Sequence, residues 1–174
     1  MTSSDATALP EGAVASLRGA VGRVLEGDRR GRGARVGLAC SRFNGGITWR
    51  LLEGALAGLD ACGVDRADVA VAWVPGAFEL PPAARALASG ADAVVCLGAV
   101  VRGETGHYDL VAGECAAGVQ RVQLDTGTPV AFGVLTTETV AQALERSGPG
   151  EANKGFEAAV TAVEMHRLLR SAMI

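Results

Sequence analysis

The chain has 174 residues, 49% of them hydrophobic and only 4% aromatic, with four cysteines, two histidines and a formal net charge of −3. That length fits one globular domain able to bury most of its apolar surface, and argues against a second full one. The mildly acidic balance, with a pI near 5.4, points to neither a nucleic-acid surface nor an anionic membrane as partner.

Residues 1–33 are expected to be an arm, partly disordered, with roughly its first 15 residues mobile. They lack a basic stretch followed by an apolar one, and no window of the chain approaches about 18 uninterrupted apolar residues, so a cytoplasmic protein is expected. GDRRGRG at 27–33 reads either as a solvated connector or as a weak polyanion patch. Cys40, Cys62, Cys96 and Cys115 form no C-x-x-C or metal-ligand pair, and are expected as buried small hydrophobes in a reducing compartment.

From residue 34 onward, Val-rich blocks alternate with segments of helical period. RVGLAC (35–40), VAVAWV (69–74), AVVCLGAVV (93–101) and PVAFGVL (129–135) have strand length and are bounded by Gly, Pro or Asp, as strands covered on both faces should be. The first helix carries Ile47, Leu51, Ala55 and Leu59 on one stripe and stops at Gly63, suited to a left-handed C-cap. The second opens with Pro81 and Pro82 and closes at Gly90. The third sets Leu110, Val111, Cys115, Gly118, Val119 and Val122 on one side and ends in DTGTP. The fourth starts with a capping box at TVAQ (139–142) and runs to Gly148. A last helix carries Phe156, Val160 and Val163. Consecutive parallel strands need long connections, so the pattern predicts an α/β fold: a four-stranded parallel sheet with helices on both sides. Ligands in such folds bind beyond the carboxyl ends of the strands.

Each of those ends carries a clue. SRFNGG (41–46) lacks both common glycine-rich nucleotide fingerprints, and its Phe43 is either a core plug or a stacking platform for a flat ligand. In PGAFELPP (75–82), Glu79 either favours a helix N-terminus or accepts hydrogen bonds from ligand hydroxyls. In RGETGHYD (102–109), Gly103 lets the chain turn, the N–H groups of Glu104 and Thr105 can converge on an anion, and His107 stands beside that spot as a group able to move protons near neutral pH. Glu104 or Asp109 is a candidate to set its charge. Phe132 plugs the core or walls a pocket, and Arg146 either complements its helix end or reaches an anion. His166, in EMHRLLR, reads as part of a solvated basic face.

SRFN (41–44), WVPGAFELP (73–81), LGAVVRGETGHYDLV (97–111), PVAFGVLTTE (129–138) and NKGFEAAVTAVEM (153–165) together closely resemble the lumazine synthase family of riboflavin biosynthesis, in order over roughly residues 34–170. The resemblance implies a three-layer, flavodoxin-like α/β/α domain over 34–174, and condensation of 5-amino-6-(D-ribitylamino)uracil with 3,4-dihydroxy-2-butanone 4-phosphate to 6,7-dimethyl-8-ribityllumazine without a cofactor. It implies that Phe43 stacks on the pyrimidinedione ring, that Ala77, Phe78 and Glu79 hold the ribityl chain, and that Ala99, Val100 and Val101 offer backbone groups to the ring edge. It assigns Glu104, Thr105 and Arg146 to the butanone phosphate, Phe132 to closing the pocket and His107 to proton transfer.

Family members are pentamers, some stacked into sixty-subunit shells, with sites between subunits. The resemblance therefore implies a homo-oligomer in which Phe132 and Arg146 complete a neighbour's pocket and residues 20–26 extend a neighbour's sheet, with riboflavin synthase a candidate partner. SGPGEANKG lacks a lysine common in shell-forming relatives and also lacks the insertion of pentamer-only ones, so both assemblies stay open. The rival reading is a non-catalytic relative that binds flavin or lumazine or builds a shell.

Overall fold

The computed structural model describes residues 9–173. Expectations for the first eight residues of the arm lie outside that range. The elements are α1 (Ala13–Ser16), β1 (Val36–Ser41), α2 (Gly45–Ala61), β2 (Val69–Val74), α3 (Leu80–Ala88), β3 (Ala93–Val101), α4 (His107–Thr126), β4 (Val130–Thr137), α5 (Val140–Arg146) and α6 (Lys154–Ala172).

All four strands pair in parallel, in the order β2-β1-β3-β4. The chain steps outward from β1 to β2 and then crosses back to β3, so the two central strands are followed by connections that leave in opposite directions. A crevice opens where they part. Side chains alternate across the sheet as the pleat requires. Val36, Leu38, Cys40, Val95, Leu97 and Leu135 join Leu51, Leu59 and Val163 of α2 and α6 in one core layer. Ala39, Val94, Cys96 and Val134 meet Leu80, Ala84, Cys115 and Val119 of α3 and α4 in the other. The fold is a three-layer α/β/α sandwich, as expected.

Local sequence explains the element ends. Gly63 (φ 74°) and Gly127 (φ 70°) take the left-handed conformation just past α2 and at the end of α4, where a side chain would be strained. Thr139 and Gln142 form the reciprocal capping box of α5. Asn153 begins α6: its Oδ1 accepts from the N–H groups of Gly155 and Phe156, while Nδ2 donates to the carbonyls of Arg50, Ser147 and Gly148. That buried amide joins α2, the 147–152 turn and α6.

Two expectations are corrected and a third is refined. β2 is not covered on both faces: it is an edge strand packed mainly by α3, and Val71 and Trp73 stay exposed. His166 is not on a solvated face but 8% exposed against the sheet's amino end, where burial pushes its imidazole below the ordinary histidine range, partly offset by Asp92. Residues 27–33 keep their arginines exposed, as a solvated connector should, but the segment is also docked. Asp28 pairs with Arg167 at 3.1 Å and also with Arg30, Arg29 pairs with Glu164 at 2.7 Å, and the N–H of Gly31 donates to the Cys62 carbonyl at 2.7 Å. With Arg29 and Arg30 engaged, a polyanion patch loses most of its charge. Residues 20–26 form no strand within their own chain.

Candidate functional site

The carboxyl ends of β1, β2 and β3 surround a cleft of about 700 Å³. Its walls bring together Phe43, Ala77, Phe78, Glu79, Ala99, Val100, Val101, Thr105 and His107, from three separate stretches of sequence. Pro75, Gly76, Gly103, Tyr108, Leu110 and Val111 complete the lining, and sequence reasoning assigned none of them to a ligand. Leu110 was expected on one helix face with Cys115 and Val119, yet those two are buried and Leu110 is 66% exposed. Its spacing carried the signal, since residues three and four beyond His107 share its face of the helix.

Each wall has a local cause. After β1, the Arg42 and Phe43 N–H groups pair with the carbonyls of Val74 and Pro75, at 2.8 and 3.0 Å, so the strand edge continues for two residues and turns the Phe43 ring outward. The ring is 71% exposed, which removes the core-plug reading. Asn44 follows in a left-handed conformation (φ 57°), tolerable for Asn, and its amide donates to the Ala99 carbonyl at 2.9 Å. That bond ties the Phe43 turn to the end of β3 and takes up one lone pair of the Ala99 oxygen. Glu79 precedes α3 without capping it. Half-buried, with a carboxylate oxygen folded over Gly76, it is free to accept hydrogen bonds from the cleft.

Beyond β3, residues 103–107 are exposed, and no hydrogen bond among the described residues engages the N–H of Glu104 or Thr105. The His107 N–H meets Thr105 Oγ1 at 3.4 Å, and Gly106 opens the twenty-residue α4 with no side-chain cap. Free N–H groups at the positive end of a long helix attract an anion. Both oxygens of Asp109 accept hydrogen bonds from Arg102, at 3.1 and 3.3 Å. Arg102 also binds Glu138 at 2.8 Å and lies 4.0 Å from the centroid of the Tyr108 ring. Hydrogen bonds to the two carboxylates raise its pKa above the ordinary arginine value.

Glu104, Phe132 and Arg146 lie outside this lining. Phe132 and Arg146 instead share a shallower depression with Lys154 and Glu157 along β4 and α6. Phe132 is 40% exposed because β4 is the other edge strand, and Arg146 Nη1 donates to the Gln142 carbonyl of its own helix at 3.2 Å. No group of three or more metal-binding side chains occurs among the described residues, and no described helix is long and apolar enough to cross a membrane. Against known families, the model described as 6,7-dimethyl-8-ribityllumazine synthase matches residues 33–170.

Proposed function

Since the chain belongs to the 6,7-dimethyl-8-ribityllumazine synthase family, one of riboflavin biosynthesis and of transferases, we propose that it carries out the family reaction itself. 5-Amino-6-(D-ribitylamino)uracil condenses with 3,4-dihydroxy-2-butanone 4-phosphate, releasing phosphate and water. The observation that carries the reading is the convergence of an exposed aromatic ring, a half-buried carboxylate, an anion-attracting helix start and one histidine on a single cleft. Phe43 stacks on the pyrimidinedione, Ala77, Phe78 and Glu79 hold the ribityl chain, and the backbone of Ala99, Val100 and Val101 meets the ring edge. Glu104 and Thr105 hold the phosphate through main-chain N–H groups. His107 takes the proton that the imine must lose as phosphate departs, a role worth about 10²–10⁴-fold in rate. Bringing the two reactants together supplies much of the rest.

Phe132 and Arg146 act on a neighbouring subunit's cleft, closing it over the ring and pairing with the phosphate. The exposed Val71 and Trp73 of β2, Leu124 of α4, and Val140 and Leu144 of α5 favour a homo-oligomer, a pentamer or a shell of pentamers working in the cytoplasm. Incubation with both substrates, followed by the absorbance of the lumazine, tests the reaction. Product above the uncatalysed background is expected; riboflavin binding without turnover would favour the non-catalytic relative. Native mass separates five subunits from sixty.

A further inference from the structure

Between β3 and α4 the chain crosses open space. A β-carbon built at Gly103 or Gly106 would meet nothing within 4 Å, and the loop's own hydrogen bonds, His107 to Thr105 and Asp109 to Gly106, are local. The loop is therefore held at its two ends, and Arg102 grips both. Its backbone N–H donates to the Thr137 carbonyl at 2.9 Å, fixing the exit from the sheet. Its guanidinium forks onto Asp109, two residues beyond His107, and stacks on Tyr108, fixing the start of α4. Nε reaches Glu138, immediately before the Thr139 cap of the helix that ends in Arg146.

We propose that Arg102 is a positioning residue, holding the 103–106 loop and His107 in place for a phosphate-bearing substrate while neutralising two carboxylates that would otherwise repel it. This rests on the reading of the cleft given above. A planar guanidinium fits the task because it supplies directed donors to two carboxylates and a flat face to the tyrosine at once, which a lysine ammonium cannot do. Without it, Asp109 and Glu138 become uncompensated negative charges beside the helix start meant for an anion.

Steady-state kinetics on the full chain, with each substrate varied in turn, test the assignment. Arg102→Met is expected to raise KM for the phosphate substrate about tenfold and lower kcat about tenfold, with KM for the pyrimidine within about twofold. Added salt should shrink the KM effect, and adding Asp109→Asn to Arg102→Met should recover part of it, because one bare carboxylate is gone. Arg102→Lys should fall between the wild type and Arg102→Met. Equal rises in both KM values, or additive effects in the double variant, would overturn the proposal. Should Arg102→Met fail to fold, Asp109→Asn decides: it unties the fork at an exposed position, so kcat should drop without a rise in phosphate KM, and unchanged constants would overturn the idea. A wild type inactive on both substrates would refute the parent reading instead; an active wild type insensitive at Arg102 refutes this inference alone.

Discussion

Of the three exposed phenylalanines, Phe43 and Phe132 stand in settings that differ. Phe43 stands where two central strands part, so turns following three strands close around it and a cleft forms within one chain. Phe132 stands on an edge strand, with the guanidinium of Arg146 and the ammonium of Lys154 nearby and no opposite wall. The difference follows from strand order. A central strand end collects neighbours from its own chain, whereas an edge strand leaves one side open.

Breaking either half should sharpen the contrast. The largest effect is expected for His107→Ala, a fall in turnover of about 10²–10⁴-fold with smaller changes in pyrimidine binding; an unchanged rate would remove the proton-transfer role. If the two regions meet across subunits, assemblies refolded from inactive His107→Ala and Arg146→Ala chains should regain up to about a quarter of wild-type activity, since each shared site draws one half from each neighbour. No recovery would mean that each chain closes its own site.

Asn153→Ala comes next, with an expected loss of about 2–3 kcal/mol by thermal or denaturant unfolding, because several buried backbone groups lose their partner. Hydrogen exchange should rise along α6 beside Arg146 before it rises around Phe43. Phe43→Ala should weaken pyrimidine binding by about 1 kcal/mol, read by titration, with stability unchanged because the ring is exposed.

The smallest effect concerns His166. Its folded pKa lies below the ordinary 6.5, so the unfolded chain binds the proton more readily, and the contribution of the neutral ring is present above about pH 6.5 and lost as pH falls. The Tm should decline between about pH 7 and 5, and less steeply in His166→Phe. Equal slopes would remove the histidine from the account.

Much of this organisation was legible in the sequence because the signals are local. Valine blocks, the Gly63 and Gly127 stops, the Thr139 capping box and the stripe of Ile47, Leu51, Ala55 and Leu59 all fall where pattern and turn chemistry put them. Phe43 and His107 stood out as uncommon residue types at strand ends. What stayed hidden depends on long-range placement. VAVAWV spells a covered strand, yet its position at the sheet edge leaves Trp73 in the open. His166 sits among arginines in sequence but turns inward on α6, toward a sheet end that no local pattern reveals. The Arg102 fork joins residues 36 positions apart, and the Gly27–Arg30 docking spans more than a hundred. Leu110 was misjudged for a different reason: its helix has one apolar stripe for the core and another for the cleft.

All four thiols are buried, and burial pushes Cys40 up to about 12 and Cys115 to about 11, with Cys62 and Cys96 also raised. At neutral pH the folded protein should thus be inert to alkylating reagents. A cysteine engineered onto the Phe132 edge would then be the sole reactive handle, and a fluorophore attached there would report directly on whatever comes to cover that surface.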